Sequence, residues 1–205
     1  MKDPQGSPVH GRTRWRRFAV MMVPATAVAG AIVFGMANGA IAASFAVSGQ
    51  TFKVSATKLD GRGFVQYGGV VKDKDGNERP VAVSGIRTAD LYDLCQSVKV
   101  PNAPIVLTIN AGGGGKPAKA TNLMIDMESL AGDAKFTNIQ IGRDAGTVDA
   151  GPVTAKGESG AFAQQASRIE INGLQQVARS TSAGTFTLTG LKLNLNVGDD
   201  AKECF

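Results

Sequence analysis

Histidine is nearly missing from this sequence: the only one, His10, precedes a long apolar segment. Ser-His-Asp and Cys-His mechanisms need an imidazole as general base. The topology predicted below separates His10 from the rest of the chain by a membrane. It therefore excludes both mechanisms, and histidine-based zinc catalysis, for the exported part. The stretch Gly157-Glu158-Ser159-Gly160 also departs from the Gly-x-Ser-x-Gly nucleophile elbow.

Cysteine is almost as scarce, with only Cys95 and Cys204 in the chain. Both follow the apolar segment, and two cysteines in an exported domain most simply form one disulfide because the compartment is oxidising. The alternative is a pair of buried free thiols. Two thiols without a nearby histidine are too few ligands for a metal ion. The sequence therefore predicts a disulfide, no metal site and no cofactor.

Aromatic residues make up only 6% of the chain and charged residues 19%, whereas glycine is abundant at 26 residues. This composition favours many turns and short strands over long helices. The formal net charge is +5, but residues 1–43 carry a net +4, which leaves +1 for residues 44–205. A domain this close to neutrality has no basic surface for a phosphate backbone, so nucleic acid is excluded as a partner.

The N-terminal region has the pattern of a membrane-targeting segment. Residues 1–17 form a basic leader, residues 18–43 are apolar, and no charged residue then occurs until Lys53. Basic residues on one flank predict that the leader stays in the cytoplasm and residues 44–205 are delivered outside. The residues expected at the membrane interface are Arg12, Arg14, Trp15, Arg16 and Arg17.

The apolar segment is either a signal-anchor or a cleaved signal peptide. Ala40, Ala42 and Ala43 fit the small-x-small pattern of signal peptidase sites. The apolar run is nevertheless about 26 residues long, which exceeds a signal-peptide core and suffices to span a bilayer. We favour retention at the cell membrane with the C-terminal domain outside, and secretion follows if the segment is cleaved.

Residues 44–205 show the period-two hydrophobic pattern of half-buried strands. A polar stretch at 72–80 predicts a hairpin loop between 63–71 and 81–86. Leu188 and Leu191 are out of phase within the last strand, which predicts a bulge at Gly190. The other predicted strands are 52–57, 105–110, 122–130, 135–141, 168–174 and 185–197.

One short helix is predicted after Thr88, a candidate N-cap. Leu91, Leu94, Cys95 and Val98 have the i, i+3, i+4, i+7 spacing of a buried helix face. The predicted fold is therefore mainly β, an antiparallel β-sandwich or barrel-like exported domain with one short α-helix, preceded by the apolar signal or transmembrane helix.

Three motifs could carry chemistry, and each has a simpler structural interpretation. Asp126 and Glu128 lie two apart on one face of a predicted strand, as on a solvated face; a glycosidase needs one carboxyl on each side of the scissile bond. Residues 73–78 (DKDGNE) resemble part of a calcium loop but fit a hairpin turn better. Residues 112–117 (GGGGKP) lack the Ser or Thr of a phosphate loop. No catalytic residue is assigned.

Three segments resemble an uncharacterised actinobacterial family whose members are exported or membrane-tethered and often automatically labelled cholesterol esterase. They are residues 42–50 (AASFAVSGQ), 85–97 (GIRTADLYDLCQS) and 182–188 (SAGTFTL). The resemblance implies an extracytoplasmic location, and the family offers no active site to transfer to this chain.

Three functional hypotheses follow from these observations. The first is a non-catalytic cell-envelope module, tethered or secreted, that binds a lipophilic ligand or an envelope partner at the membrane. The second is a lipid or sterol ester hydrolase that does not use a histidine triad. The third is a self-assembling structural protein of the cell surface. The sequence favours the non-catalytic module.

Overall fold

Buried and exposed side chains alternate along the strands of the part of the chain that the structure describes. The computed structural model describes residues 50–198 and 201–205. The leader, the apolar segment and the cleavage motif at 40–43 lie outside the described residues. The strands are β1 Phe52–Lys72, β2 Glu78–Tyr92, β3 Leu94–Lys99, β4 Ile105–Ala111, β5 Ala118–Thr137, β6 Gln140–Asp144, β7 Phe162–Ser182, β8 Thr185–Thr187 and β9 Lys192–Val197.

Four long strands form a closed hydrogen-bonded ring. β1 pairs with β2, β2 with β5, β5 with β7, and β7 returns to β1, and every pairing is antiparallel. Three strands extend from the start of β1 in the order β3, β4, β9. β6 pairs with the first residues of β7, and β8 pairs with the first residues of β5. The prediction of a mainly antiparallel β domain is confirmed.

The ring encloses the main hydrophobic core. Large side chains from all four long strands are buried there, among them Phe64, Ile86, Leu123 and Ile169. Inward-facing residues at directly opposed positions of antiparallel strands lie close enough to pack, and burying each removes roughly 1.5–3 kcal/mol of unfavourable hydration. The ring is therefore stabilised by contacts between residues far apart in the sequence.

A second core lies outside the ring, where the 145–161 loop covers β1 and β2. Val65 and Tyr67 pack there against Val148 and Ala155. Arg87 Nη2 holds the loop by donating to the carbonyl oxygens of Asp149, Ala150 and Gly151 at 3.2, 2.9 and 3.1 Å.

Gly63 allows this loop to approach β1. Its φ is +69°, and a Cβ at this position would lie 2.4 Å from the Ala150 carbonyl oxygen. Both the backbone conformation and the close approach therefore require glycine.

The predicted helix after Thr88 is wrong. Thr88 lies inside β2, Leu91 lies near the end of β2, and Leu94, Cys95 and Val98 belong to β3. Asp93 separates the two strands with a φ of +48°. Asp93 is one extra residue between the strands, and it shifts the alternation of buried and exposed positions. Leu91 and Leu94 are therefore both buried although they are three residues apart, which is a spacing typical of a helix.

Two predicted strands are also divided differently in the structure. Residues 135–141 are split between the end of β5 and β6, with Asn138 at a φ of +53° between them. Residues 185–197 form two strands rather than one bulged strand. Gly190, at a φ of +68°, lies in a turn in which the Leu191 amide donates to the Leu188 carbonyl at 3.2 Å. Positive φ at these positions breaks a pattern that otherwise continues in period two.

The predicted hairpin is confirmed, but its turn covers only residues 73–77, because residues 72 and 78–80 of the predicted loop belong to β1 and β2. Asp73 organises this turn. Lys72 pairs with Glu78 across the hairpin. Asp73 Oδ1 accepts from the backbone amides of Asp75 and Asn77 at 3.0 and 2.9 Å. Because the Asn77 side chain and backbone donate to the carboxylate, and Arg79 adds a further bond, the pKa of Asp73 falls to about 2.

When Asp73 is replaced by asparagine, Tm is expected to fall less at acid pH than it does in the wild type. A carboxyl whose folded pKa is lowered stabilises the fold above its unfolded pKa of 3.8 and loses that contribution as the pH falls towards about 2. The difference in Tm between wild type and Asp73→Asn should thus be positive at pH 6 and shrink below pH 4. Thermal unfolding from pH 2 to 7 measures it.

The control for this prediction is Asp75→Asn. The Asp75 carboxylate bonds only the exposed Lys74 among the described residues, so this variant should follow the wild-type curve. A constant Tm difference between Asp73→Asn and wild type over the whole pH range would contradict the prediction.

Candidate functional site

An uncovered row of apolar side chains lies on β4 and β9. Leu193, Leu195 and Val197 are 60%, 61% and 65% exposed. Each lies directly opposite a half-buried apolar residue of β4, so the two strands present three apolar cross-strand pairs on one face. We call this surface the open face, and its residues are Ile105, Leu107, Ile109, Leu193, Leu195 and Val197. Contiguous exposed apolar surface is a common feature of interaction sites, so the open face is the candidate site.

The open face continues into the ring. Leu193 opposes Ile109, Ile109 opposes Gln96, and Gln96 opposes Val54, so these four residues share one face of the sheet. Val54 and Gln96 also line a pocket in the ring. The other residues of that pocket are Leu59, Leu91, Leu94, Leu123, Ile125, Leu174, Gln176, Thr181 and Phe186.

The pocket is narrow and uncharged. Its empty volume is about 360 Å³ including the open mouth, but only about 20 Å³ of its interior can take a water-sized sphere, which is room for about one water molecule. No lining residue is charged, and the polar groups are the amides of Gln96 and Gln176 and the hydroxyl of Thr181. The pocket and the open face together form one apolar track with a few hydrogen-bonding groups.

The C-terminal segment packs against the opposite face of the sheet at β1 and β3. Cys95 and Cys204, the pair predicted to form a disulfide, lie at bonding distance with Sγ–Sγ 2.02 Å. The Cys204 amide donates to Ser97 Oγ at 3.0 Å. Lys53 Nζ lies 3.0 Å from the Glu203 carboxylate and 5.2 Å from the centre of the Phe205 ring. One face of β3 is therefore covered by the C-terminal segment, whereas the open face lies on β4 and β9 on the other side of the sheet.

Asp126 and Glu128 lie on the outer face of β5, as the sequence indicated. Ser180 donates to Asp126 and Arg179 to Glu128 across the β5–β7 pairing. The neighbours Ile125 and Thr181 line the pocket. Since adjacent residues of a strand point to opposite faces, the hydroxyl–carboxylate pair lies on the other side of the sheet from the apolar track.

Burial and a nearby charge raise the pKa of Tyr67 on this outer face. Desolvation of its phenol is the larger cause of a raised pKa, and the charge of Asp126 adds to it.

The sequence offered no sign of the Ser180–Asp126 or Arg179–Glu128 pairs, because the partners are more than fifty residues apart and meet only through the strand register.

The remaining motifs are turns. The Asp73 carboxylate is occupied by the hairpin, and the 112–117 stretch links β4 to β5, with the Gly112 amide donating to the Thr189 carbonyl at 2.8 Å. Within the part of the chain that the structure describes, no three His, Cys, Asp or Glu side chains are grouped to hold a metal ion.

The membrane-interface residues Arg12, Arg14, Trp15, Arg16 and Arg17 and the cleavage residues Ala40, Ala42 and Ala43 are outside the described residues. Between residues 50 and 198, and in the C-terminal five residues, no helix has the length and hydropathy needed to cross a membrane.

The fold and the site define an antiparallel β domain with a disulfide-fastened C-terminus and one open apolar face. The chain belongs to DUF6230, a family of unknown function, whose model matches residues 48–205. No curated protein and no solved structure shows a significant match.

Proposed function

We propose that this chain is a non-catalytic extracytoplasmic module of the cell envelope that binds the aliphatic chain of an amphiphilic lipid. The observation that carries the proposal is the open face: three β9 side chains are at least 60% exposed and continue, without a charged residue, into an apolar pocket. Surfaces that combine apolar lining with a few polar groups bind small lipophilic ligands. The bound lipid would come from the membrane or from a partner protein of the envelope.

The shape of the track favours a linear chain over a fused ring system. Leu193, Ile109, Gln96 and Val54 are successive cross-strand neighbours, so they form a narrow row across the sheet. The interior of the pocket has room for about one water molecule, which is far less than a sterol nucleus requires. A flexible chain can lie along the open face and insert only its end beside Gln96 and Gln176.

The place where the polypeptide enters the sheet, at the start of β1, supports the membrane as the source of the lipid. Lys53 opposes Ser97, Lys99 opposes Val106, and Ile105 opposes Val197. The start of β1 thus lies at the same end of the sheet as the Val197 end of the open face. The predicted membrane segment ends at Ala43, and the seven residues from there to Gln50 could span at most about 25 Å in any conformation. A retained anchor would keep a bilayer within that reach.

Affinity for saturated fatty acids is expected to rise with chain length. Each buried methylene contributes about 0.8 kcal/mol, which is about fourfold in Kd. Titrating the exported protein with fatty acids of increasing length, followed by calorimetry, measures the slope and the length at which it levels off. A sterol should bind more weakly than the longest fatty acid. A Kd independent of chain length, or preference for the sterol, would contradict the proposal.

The alternative function is an ester hydrolase, which is what the cholesterol-esterase label of the resembling family would imply. That label and the actinobacterial origin stay predictions. The Ser180–Asp126 pair is its best candidate site, although this pair lies across the sheet from the apolar track. Incubation with lipid and sterol esters tests it, with Asp126→Ala, Ser159→Ala and Ser180→Ala as controls. Turnover that any of these substitutions abolishes would replace the binding proposal.

A further inference from the structure

The outer edge of β9 is an uninterrupted strand edge. β9 pairs with β4 through six consecutive residue pairs without a register shift. On its other side, none of the described strands pairs with it. Natural proteins protect such edges with proline, bulges or central charges. Residues 192–197 (KLNLNV) contain no proline and only one charge, Lys192, at the end of the strand.

The sequence of β9 is complementary to itself in an antiparallel arrangement. If a twofold axis passes through Leu195, that residue opposes its own counterpart, Leu193 opposes Val197, and Asn194 opposes Asn196. Lys192 then opposes Gly198, so no like charges meet. Leucine and valine share one face of the paired strands, and the asparagine amides share the other and can hydrogen-bond.

We propose that a second copy of this chain docks on the β9 edge by antiparallel strand pairing about a twofold axis at Leu195. The pairing joins the two sheets and places the two open faces side by side, which makes one apolar surface of twice the width. It is isologous, so it closes as a dimer and does not propagate. A contact of seven residues from each chain is small, and the dimer is therefore weak and concentration-dependent.

The other sheet edge does not offer the same contact. β6 also exposes an apolar residue, Ile141, but its pairing with β7 is shifted between Ile141 and Arg143. The shift bends the strand, and Arg143 adds a charge within it. Both features oppose edge pairing. The β9 edge is thus the one that fits a second copy.

Two charge variants test the dimer on the full exported chain as cells deliver it. Asn194→Lys/Asn196→Lys places lysines opposite lysines twice, and Asn194→Glu/Asn196→Glu does the same with glutamates, while the open face is unchanged. Sedimentation velocity over about a hundredfold concentration range follows the equilibrium. The wild type should dimerise, each variant alone should show a dimer Kd raised about tenfold or more, and an equimolar mixture should recover the dimer.

A wild type that stays monomeric, variants that still dimerise, or a mixture that stays monomeric would overturn the proposal. Association through the N-terminal segment would not respond to residues 194 and 196. If the charge variants do not fold, Leu195→Cys decides the matter, because opposed β-carbons lie near disulfide distance. Mild oxidation should cross-link Leu195→Cys to itself but not Asn194→Cys, and equal cross-linking of both would contradict the register.

Discussion

Replacing Leu193 and Leu195 by aspartate should weaken fatty acid binding by more than about a hundredfold. The double substitution removes two apolar contacts from the open face and forces the aliphatic chain to desolvate two carboxylates. Both side chains are at least 60% exposed, so the free energy of unfolding should change by no more than about 0.5 kcal/mol per site. Calorimetric titration and thermal unfolding of the same preparation separate the two effects.

The matched control is Asn194→Asp/Asn196→Asp. It places the same two charges on the same strand but on the opposite face, where these asparagines oppose Thr108 and Val106. We expect this variant to bind fatty acids like the wild type, even if its dimer is lost. Equal loss of binding in both variants would show that the charge of β9, and not the open face, determines binding. Full binding by Leu193→Asp/Leu195→Asp would exclude the open face as the site.

Removal of the disulfide should produce the largest loss of stability. Cys95 and Cys204 are 109 residues apart, and the chain-entropy model assigns a crosslink of that length about 4–5 kcal/mol. For a domain of this size, the double substitution Cys95→Ser/Cys204→Ser should lower Tm by roughly 10 °C. It also frees the C-terminal segment from the face of β3 that it covers. Thermal unfolding, with and without reductant, measures the difference.

Lys53→Ala is the control for the contribution of the disulfide. It removes the ion pair with Glu203 and the contact with the Phe205 ring but leaves the crosslink in place. Because the ion pair is partly exposed, the loss should be below about 1 kcal/mol. An unchanged Tm in the reduced protein, or equal losses in the two variants, would contradict the role assigned to the disulfide.

The sequence predicted most of the strands, but it revealed neither which distant strands pair nor where a strand is broken. Alternation in 63–71 and 81–86, with a polar stretch between them, predicted the β1–β2 hairpin because local contacts determine it. The predicted helix failed because one residue with positive φ, Asp93, turned two strand periods into an apparent helical one. A hydrophobic period reports which residues share a face over an unbroken element, and it cannot reveal where the element is broken.

The candidate site shows the same limit. Alternation at 191–197 correctly distinguished two faces of a strand, and such a pattern ordinarily indicates one buried face. In the structure the apolar face is the open one, and Asn196 of the polar face bonds Thr108 at 3.3 Å. The cysteine pair could be predicted by counting. The ring and the Ser180–Asp126 pair depend on the register between distant strands, which alternation within each strand does not reveal.

Photolabelling tests the lipid-binding claim most directly. A fatty acid with a diazirine at its chain end is added to the purified protein, irradiated, and located by mass spectrometry of the peptides. We predict labels on β4, β9 and the Gln96 region, and their loss when an unlabelled long-chain fatty acid competes. Labels confined to the other exposed apolar side chains, Ile141 on β6 and Phe162 at the start of β7, or labelling that the competitor does not reduce, would contradict the assignment of the open face.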